Sequence, residues 1–364
     1  MLSSNFPEIL KVNIPSLAAN DPWWKKAQAR QAILTKPNGS LGRLEELAIR
    51  LSVIQQTNTP SVDHAQAFIF AADHPVSRHG TSAFPMEVTA AMVANFLNGG
   101  AASSVLAKLN NIPLSVIDVG VDTPYEVTST NTNLYQRHTL PGGDISIEPA
   151  LSAQAFAKAI QIGRKCVASI PTKTQLLILG EMGIGNTTPS SAVACALLGG
   201  NLDRLVGSGT GITEEVRKHK LELINKALKR FSTVQNLKEN QVVDVMKQLG
   251  GREMSAILGA MLEAVEKRIP ILVDGFIISV AALALVRLYP ESLPYLIFSH
   301  RSQEQGHIKV LQALQASPIL SLDLRLGEAS GALTAYPLLK AACALHSNMA
   351  TFEEAAVPNK EESI

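Results

Sequence analysis

Short, continuous apolar runs recur along the chain, and stretches long enough to form a helix separate them. Continuous rather than alternating hydrophobicity indicates strands that are buried on both faces. Buried strands that alternate with helices form crossover units, so the pattern predicts a layered α/β fold with a mostly parallel sheet. The runs cover residues 66–71, 113–117, 175–179, 270–273 and 294–298.

Polar residues and glycines directly follow each predicted strand. The carboxyl ends of parallel strands lie at one edge of a sheet, where the ligands of open α/β folds bind. Five segments are therefore expected to converge on one crevice, although each alone is equally well explained as a turn that ends a strand. They are residues 73–74, 118–122, 180–183, 274–275 and 299–300.

The two ends of the chain have a different pattern. Apolar residues repeat at helical spacing between Leu44 and Ile54 with no buried strand after them, and a second helical pattern runs from Ala332 to about Met349. We expect residues 1–60 and 332–364 to pack together as a small helical domain beside a large α/β domain of residues 61–331.

Charge content narrows the functional class. The 364 residues are 46% hydrophobic and 17% charged, and 32 basic against 31 acidic residues leave a formal charge of +1. Proteins that bind nucleic acid through its phosphates have a basic excess or a basic stripe. This chain has neither, so no nucleic-acid partner is expected.

Cysteine content and hydropathy bear on the compartment. Cys166, Cys195 and Cys343 form neither a C-x-x-C pair nor an even set, which favours a reducing cytoplasm and indicates no structural zinc site. The first residues lack the pattern of a secretory signal.

The most apolar stretch, residues 269–288, is interrupted by Asp274, so we expect a buried strand and helix there rather than a membrane span.

Two glycine-rich loops favour a phosphorylated ligand. Residues 180–189 follow a predicted strand and precede a helix, whose free N–H groups and positive dipole end attract anions. Residues 206–211 precede a helix that carries Lys218 and Lys220, one of which could reach back to a phosphate. The first loop has the spacing of neither a P-loop nor a dinucleotide fingerprint, and each loop alone is more often a tight turn without a ligand. Two such loops in one α/β chain indicate a nucleotide-like substrate.

Two carboxylates are candidates for catalysis. Glu328 lies between two glycines just before a predicted helix, and Glu181 lies inside the first glycine-rich loop. An acid is favoured at a helix N-terminus by the helix dipole alone, so each carboxylate also has a structural explanation. His300 and His307 are seven residues apart, which favours hydrogen bonding over a metal site.

Eight motifs along nearly the whole chain together resemble one known family. They are KP with SLGRLE (36–37 and 40–45), ADH (72–74), VIDVG (116–120), GEMGIGNTT (180–188), GSGTG (207–211), VDGF (273–276), SH (299–300) and LGE (326–328). The chain is similar in these motifs to the nicotinate-nucleotide–dimethylbenzimidazole phosphoribosyltransferases. The resemblance implies a Rossmann-like, mostly parallel sheet flanked by helices, a small helical domain from both chain ends, a homodimer, and no metal or organic cofactor.

The resemblance also implies a reaction and a set of site residues. The family transfers the 5-phosphoribosyl group of nicotinate mononucleotide to 5,6-dimethylbenzimidazole with inversion, for the nucleotide loop of cobalamin. The departing pyridine nitrogen needs no acid, whereas the incoming azole must lose a proton, so one base suffices. The implied base is Glu328. The implied substrate contacts are Glu181 near the ribose; Gly183, Gly207, Gly209 and Lys220 at the phosphate; Phe84, Met92, Met182 and Leu326 around the acceptor; and Asn186, Thr187 and Gly327.

Three positions depart from the family pattern, and several questions stay open. Pro75 and Ala329 stand where glycine is common, and Ala91 stands where glutamine is common, which leaves the loop geometry and the acceptor preference undecided. The apolar acceptor residues are equally well explained as core packing. Asp73, Asp274 and His300 either touch substrate or brace the crevice.

Three other functions compete with the implied one. The same chemistry on another acceptor base, such as adenine, a phenol or another benzimidazole, fits the same motifs. A non-catalytic nucleotide-binding paralogue would keep the glycine loops and need no base. An NAD-dependent oxidoreductase rests on fold analogy alone, because the dinucleotide spacing is absent.

Overall fold

Six parallel strands form one sheet in the computed structural model, which describes residues 7–18, 20–126, 135–199, 202–207, 213–231 and 239–358. Their order across the sheet is β3-β2-β1-β4-β5-β6, and every neighbouring pair is parallel. The expected Rossmann-like α/β fold is therefore confirmed. The strands are β1 (Ala65–Ala72), β2 (Leu114–Gly120), β3 (Tyr135–Arg137), β4 (Leu176–Met182), β5 (Ile271–Val273) and β6 (Leu296–Phe298).

Five of these strands coincide with the predicted apolar runs, whereas β3 has no counterpart among them. This strand has three residues, lies at the edge of the sheet, and is half-buried at Tyr135 and exposed at Gln136 and Arg137. An edge strand of this kind carries no continuous apolar run, so hydrophobicity alone does not mark it.

Twelve α-helices accompany the sheet within the described ranges. They are α1 (Pro22–Ile33), α2 (Arg43–Gln55), α3 (Val88–Leu97), α4 (Ala102–Leu109), α5 (Ala153–Ala168), α6 (Thr187–Leu198), α7 (Glu214–Arg230), α8 (Glu239–Leu249), α9 (Arg252–Glu266), α10 (Phe276–Leu288), α11 (Gln305–Ala313) and α12 (Ser330–Asn348).

Alternate strand residues face two different hydrophobic clusters. Phe68, Phe70 and Leu177 belong to the larger cluster, which also contains the apolar residues of α5, α9 and α10. Ala67 and Ile178 belong to a second cluster on the other face, together with residues of α2 and α12. The strands are buried on both faces for this reason, as their continuous hydrophobicity predicts.

Helices from both ends of the chain contact each other. The Arg30 guanidinium on α1 donates hydrogen bonds to the carbonyls of His346 and Met349 at the end of α12, at 3.1 and 3.0 Å. The apolar residues of α2 and α12 share one cluster with the sheet. The terminal segments thus pack together and on the sheet, while the domain boundaries at residues 60 and 331 stay a prediction.

Two apolar stretches bear on the question of a membrane span. Residues 269–288 form β5 and the buried helix α10, as expected. A different stretch, Val88–Leu109, is long and apolar enough to cross a membrane by length and composition, and a third of it is buried. It comprises α3 and α4, which are separate helices of 10 and 8 residues.

The strand order reverses direction at β1, which pairs with β2 on one side and with β4 on the other. In open α/β sheets the crevice outside such a reversal is where ligands bind. Asp73 directly follows β1, and Gly183 directly follows β4. The fold therefore brings the predicted polar segments to one edge.

Candidate active site

A cavity of about 380 Å³ opens at the carboxyl edge of the sheet, beside the ends of β4, β5 and β6. Most of the sequence-predicted site residues line it. They are Phe84, Met92, Glu181, Met182, Gly183, Asn186, Thr187, Lys220, Leu326, Gly327 and Glu328, joined by Asp274 and His300.

Glu328 lies on a backbone turn of unusual shape. Gly327, Glu328 and Ala329 have φ angles of 84°, 60° and 64°, which are left-handed conformations that L residues rarely adopt. The turn passes close to β4, since a Cβ on Gly180 would lie 2.6 Å from the backbone nitrogen of Ala329. Glycine at position 180 therefore allows the loop that carries Glu328 to pack directly on the strand.

The Glu328 carboxyl group is poised to accept a proton. Its side chain is 7% exposed, and Oε2 is buried without a hydrogen-bond partner among the described residues. Burial, with a smaller contribution from the negative charge of Asp274, raises the pKa of Glu328 to about 7. A carboxylate with this pKa can act as a general base near neutral pH.

Two further acids accompany Glu328, and we call Glu181, Asp274 and Glu328 the acidic floor. Glu181, at the end of β4, accepts a hydrogen bond from the Asn186 side chain and another from the backbone N–H of Glu328. Burial, and then the charges of Asp274, Glu253 and Glu328, raise the pKa of Glu181. A Cβ on Gly327 would clash with Glu181 Oε1, so the loop crosses directly over this carboxylate.

A buried cation lies at another side of the cavity, and we call Lys220 with Thr187 the cationic end. Lys220 on α7 is 1% exposed, and its Nζ donates a hydrogen bond of 2.7 Å to Thr187 Oγ1. Burial lowers the pKa of Lys220 to about 8. Thr187 is the first residue of α6, so the ammonium group lies beside a helix N-terminus. This combination is typical of an anion site.

Apolar side chains form the remaining wall, and we call Phe84, Met92 and Leu326 the apolar mouth. Phe84 and Leu326 are each 51% exposed, which is high for large apolar residues in a cavity. Met182 and Ile277 extend this wall towards the interior. The mouth therefore suits an apolar part of a ligand that would cover these side chains.

Comparison with known proteins decides the family. A family model described as Phosphoribosyltransferase matches residues 18–357. The nicotinate-nucleotide–dimethylbenzimidazole phosphoribosyltransferase of Bradyrhizobium sp. (strain BTAi1) is 46% identical over 351 residues, covering 96% of this chain and 98% of the relative. The chain belongs to this phosphoribosyltransferase family.

Other relatives agree. The enzyme of the same name from Pseudomonas fluorescens (strain Pf-5) is 44% identical and covers 94% of this chain and 99% of its own length. A crystal structure of CobT from Thermus thermophilus superposes with a TM-score of 0.86 at 36% identity, covering 93% of this chain and all of that one. The family resemblance and the enzyme class expected from the motifs are confirmed.

Some predicted residues of this phosphoribosyltransferase lie outside the cavity lining. Gly207 lies beside the lining residue Glu304, since a Cβ on Gly207 would be 3.2 Å from Glu304 Oε2. Gly209 lies outside the described residues. Asp73 accepts a hydrogen bond of 2.8 Å from the backbone N–H of Asp122 and does not line the cavity. Asp73 is therefore held beside Asp122, outside the lining of this cavity.

The three departures from the family pattern have local explanations. Pro75 begins a short 3-10 helix, Pro75–His79, where its missing N–H leaves no bond unmade. Ala329 adopts the positive φ that was in question, so the loop keeps its left-handed turn with an alanine in it. Ala91 is exposed on α3 and does not line the cavity.

Several lining residues escape sequence reasoning. They come mainly from segments without a chemical motif of their own: Thr81, Ser82, Ile277, Ser302, Glu304 and Arg325. Glu304 and Arg325 carry a weak signal, because each is a charged residue within four positions of His300 or Glu328. Only the tertiary fold shows that both line the cavity that also holds Lys220.

Proposed function

We propose that this protein transfers the 5-phosphoribosyl group of nicotinate mononucleotide to 5,6-dimethylbenzimidazole, with inversion at the anomeric carbon. The products are α-ribazole 5′-phosphate and nicotinate, for assembly of the nucleotide loop of cobalamin. The names of the relatives supply the substrates. The observation that carries the proposal is the buried Glu328 carboxyl group, whose pKa is about 7, in a cavity that also holds a buried cation.

The reaction requires one base. The bond from the anomeric carbon to the pyridinium nitrogen breaks, and its electron pair leaves with nicotinate, which becomes neutral at that nitrogen. The azole nitrogen attacks from the opposite face and forms the new bond, while the proton of the azole N–H passes to Glu328. An ionised Glu328 carboxylate with a free oxygen can accept this proton.

The rest of the cavity has a role in this scheme. The cationic end, Lys220 with Thr187, would hold the 5′-phosphate together with the backbone of Gly183, Gly207 and Gly209. Glu181 and Asn186 would face the ribose, and Gly327 lets the loop that carries Glu328 pass directly over the Glu181 carboxylate. The apolar mouth with Met182 would cover the acceptor. These groups position and neutralise the substrates, while bond making needs only the base.

The first experiment tests the reaction itself. Purified protein is incubated with nicotinate mononucleotide and 5,6-dimethylbenzimidazole, the products are separated by chromatography, and the anomeric linkage is determined by NMR. An α-riboside phosphate supports the proposal. Product only with purines, phenols or other benzimidazoles would change the acceptor, and binding of the mononucleotide without any product would favour a non-catalytic paralogue.

The assembly and the compartment stay predictions. We propose a homodimer on the family resemblance, to be tested by sedimentation of the purified chain. We propose a cytoplasmic location on the cysteine content, since Cys166, Cys195 and Cys343 are buried in the structure.

A further inference from the structure

Asp274 is a buried acid that the proposed reaction does not use directly. It directly follows β5, is 1% exposed, and lines the cavity beside Glu328. A carboxylate this deeply buried destabilises a fold unless it is well hydrogen-bonded. Its partners therefore indicate what it does.

The partners of Asp274 are the free N–H groups at the start of α12. Its Oδ1 accepts a hydrogen bond of 2.9 Å from the N–H of Ala332. Burial raises the pKa of Asp274, while the neighbouring His300 and the N–H groups of Ala332, Gly331 and Ala329 act against this rise by stabilising the charged form. In most helices the residue before the first turn supplies this acceptor from its own side chain. Here that residue is Ala329, which has only a methyl group, and α12 has no side-chain cap of its own.

The His300 ring packs against Asp274. Ser299 Oγ donates to the carbonyl of Val273 at 2.8 Å and lies 3.1 Å from His300 Nδ1. The same ring nitrogen lies 3.6 Å from Asp274 Oδ1. A Cβ on Gly331 would clash with this ring, so His300, Asp274 and the first turn of α12 form one tightly packed unit.

We propose that Asp274 is a positioning residue for Glu328: it caps α12 from a neighbouring strand and thereby fixes the loop that carries the general base. The residues whose N–H groups Asp274 accepts from directly follow Glu328. The loop that carries Glu328, residues 327–329, is in left-handed conformations, which other contacts must hold in place. This inference rests on the proposed function, because it assigns Asp274 a part in the same reaction.

The charge of Asp274 has a second effect on Glu328. It is one of the two causes that raise the pKa of Glu328 to about 7, the other and larger one being burial. The other charged or titratable groups that line the cavity are Glu181 on β4, His300 after β6, Arg325 on the same loop as Glu328, Lys220 on α7 and Glu304 before α11. The charge of Glu253 on α9 also acts on Glu181. Removing the charge of Asp274 should therefore lower the pKa of Glu328, so that the base is ionised at lower pH.

The test compares Asp274→Asn and Asp274→Ala with the parent enzyme. We expect kcat to fall by about 10-fold or more in Asp274→Ala, because the base is misplaced, while KM for nicotinate mononucleotide changes by less than about threefold. In Asp274→Asn, which keeps one oxygen acceptor, the loss should be smaller. In both variants the acid limb of the kcat/KM profile should move to lower pH.

A variant elsewhere on α12 controls for simple loss of stability. Tyr336→Phe removes a hydrogen bond of 2.9 Å from the hydroxyl to the carbonyl of Val62, and Tyr336 does not line the cavity. This variant should melt at a lower temperature with an unchanged pH profile. If Asp274→Asn behaves in the same way, losing stability without moving the acid limb, Asp274 is only structural and the inference is wrong.

A direct titration separates this inference from the proposed function. Glutamate carrying a ¹³C label in its carboxyl group is incorporated, Glu328→Gln identifies the Glu328 signal, and the signal is titrated in the parent and in Asp274→Asn. A lower pKa in Asp274→Asn supports the coupling even if the parent makes no α-riboside product. An active parent with identical Glu328 titrations and unchanged kcat in the Asp274 variants would overturn it.

Discussion

At the acidic floor of the cavity, Glu181, Asp274 and Glu328 expose 7%, 1% and 7% of their surface, whereas Phe84 and Leu326 at the apolar mouth each expose 51%. The floor is built from strand ends and a helix N-terminus that hydrogen bonds hold together. The mouth is built from loop and helix side chains that face solvent. The fold thus fixes the position of the base far more tightly than the surface that would contact the acceptor.

This difference separates the chemical step from acceptor choice. Substitutions on the floor should act on kcat, because they disturb a preorganised group. Substitutions at the mouth should act on KM for the acceptor, because they change only contact area. Variants of the two regions test whether this separation holds.

Glu328→Gln should have the largest effect. Glutamine is close in size to glutamate but cannot take the azole proton, so kcat should fall by about 10²- to 10⁴-fold, the usual contribution of a general base. Affinity for nicotinate mononucleotide, measured by calorimetry, should change little. Turnover within about threefold of the parent would remove Glu328 from the role of base.

Lys220→Met should come next, acting at the cationic end. Loss of a charge-assisted contact of about 1.5–3 kcal/mol with the phosphate should raise KM for nicotinate mononucleotide by about 10- to 100-fold. Because the free Lys220 has a pKa of about 8, kcat/KM of the parent should also fall as the pH rises above that value and the ammonium group loses its proton. The variant should lack this alkaline decline.

The control for Lys220→Met lies on the same helix. Lys218 is exposed on α7 and does not line the cavity, so Lys218→Met should leave KM unchanged. Thermal melting is measured for both variants, because Lys220→Met removes a buried charge but also leaves Thr187 Oγ1 and Glu304 without this cation. An equal rise of KM in both variants would mean that general electrostatic attraction, rather than a phosphate contact at Lys220, is responsible.

Much of the fold and of the cavity can be predicted from the sequence, because a buried strand appears as a continuous run of apolar residues. Strands β1 and β4 are buried on both faces and therefore appear as continuous apolar runs, and the crevice follows from the polar residues after them. Glu328 stands out because a carboxylate between glycines is a local pattern, whereas the pattern of a lysine after a glycine loop fits both Lys218 and Lys220. The family resemblance then supplies the roles of Glu328 and Lys220.

Other parts depend on contacts between distant segments, which no local pattern records. Asp274 follows a strand like several other acids, and only the fold shows that it meets the N-terminus of α12. Glu304 faces Lys220 through the packing of α7 and the loop before α11. The half-exposed state of Phe84 depends on how its loop lies over the cavity, so its apolar character alone does not distinguish a core residue from a binding surface.

Leu326→Ala tests the apolar mouth and should have a moderate effect. Covering part of a half-exposed leucine contributes roughly 1 kcal/mol at about 25 cal/mol per Å², so KM for 5,6-dimethylbenzimidazole should rise by about fivefold. The kcat value should stay within about twofold of the parent. Leu322→Ala is the matched control, because Leu322 is 52% exposed but does not line the cavity. A larger fall in kcat than rise in KM would show that the mouth also orients the base, against the separation of the two regions.

Ala329→Gly should have the smallest effect, although it lies next to the base. The left-handed backbone at φ 64° costs an alanine about 1–2 kcal/mol, whereas glycine adopts it freely but loses about 0.5–1 kcal/mol more conformational entropy on folding. The substitution also removes a fully buried methyl group. These terms nearly cancel, so the free energy of unfolding in urea should change by less than about 1 kcal/mol, and kcat by less than about twofold.

Gln315, another residue with a left-handed backbone, provides the control for Ala329→Gly. Gln315 has a φ of 50°, is exposed, and lies outside the cavity, so Gln315→Gly removes the same kind of strain without losing a buried group and should stabilise the protein slightly. If Ala329→Gly instead lowers kcat by more than about tenfold with unchanged stability, the restricted alanine backbone holds Glu328 in place. The floor would then owe its rigidity to the loop itself rather than to the contacts of Asp274 and Gly180 with it.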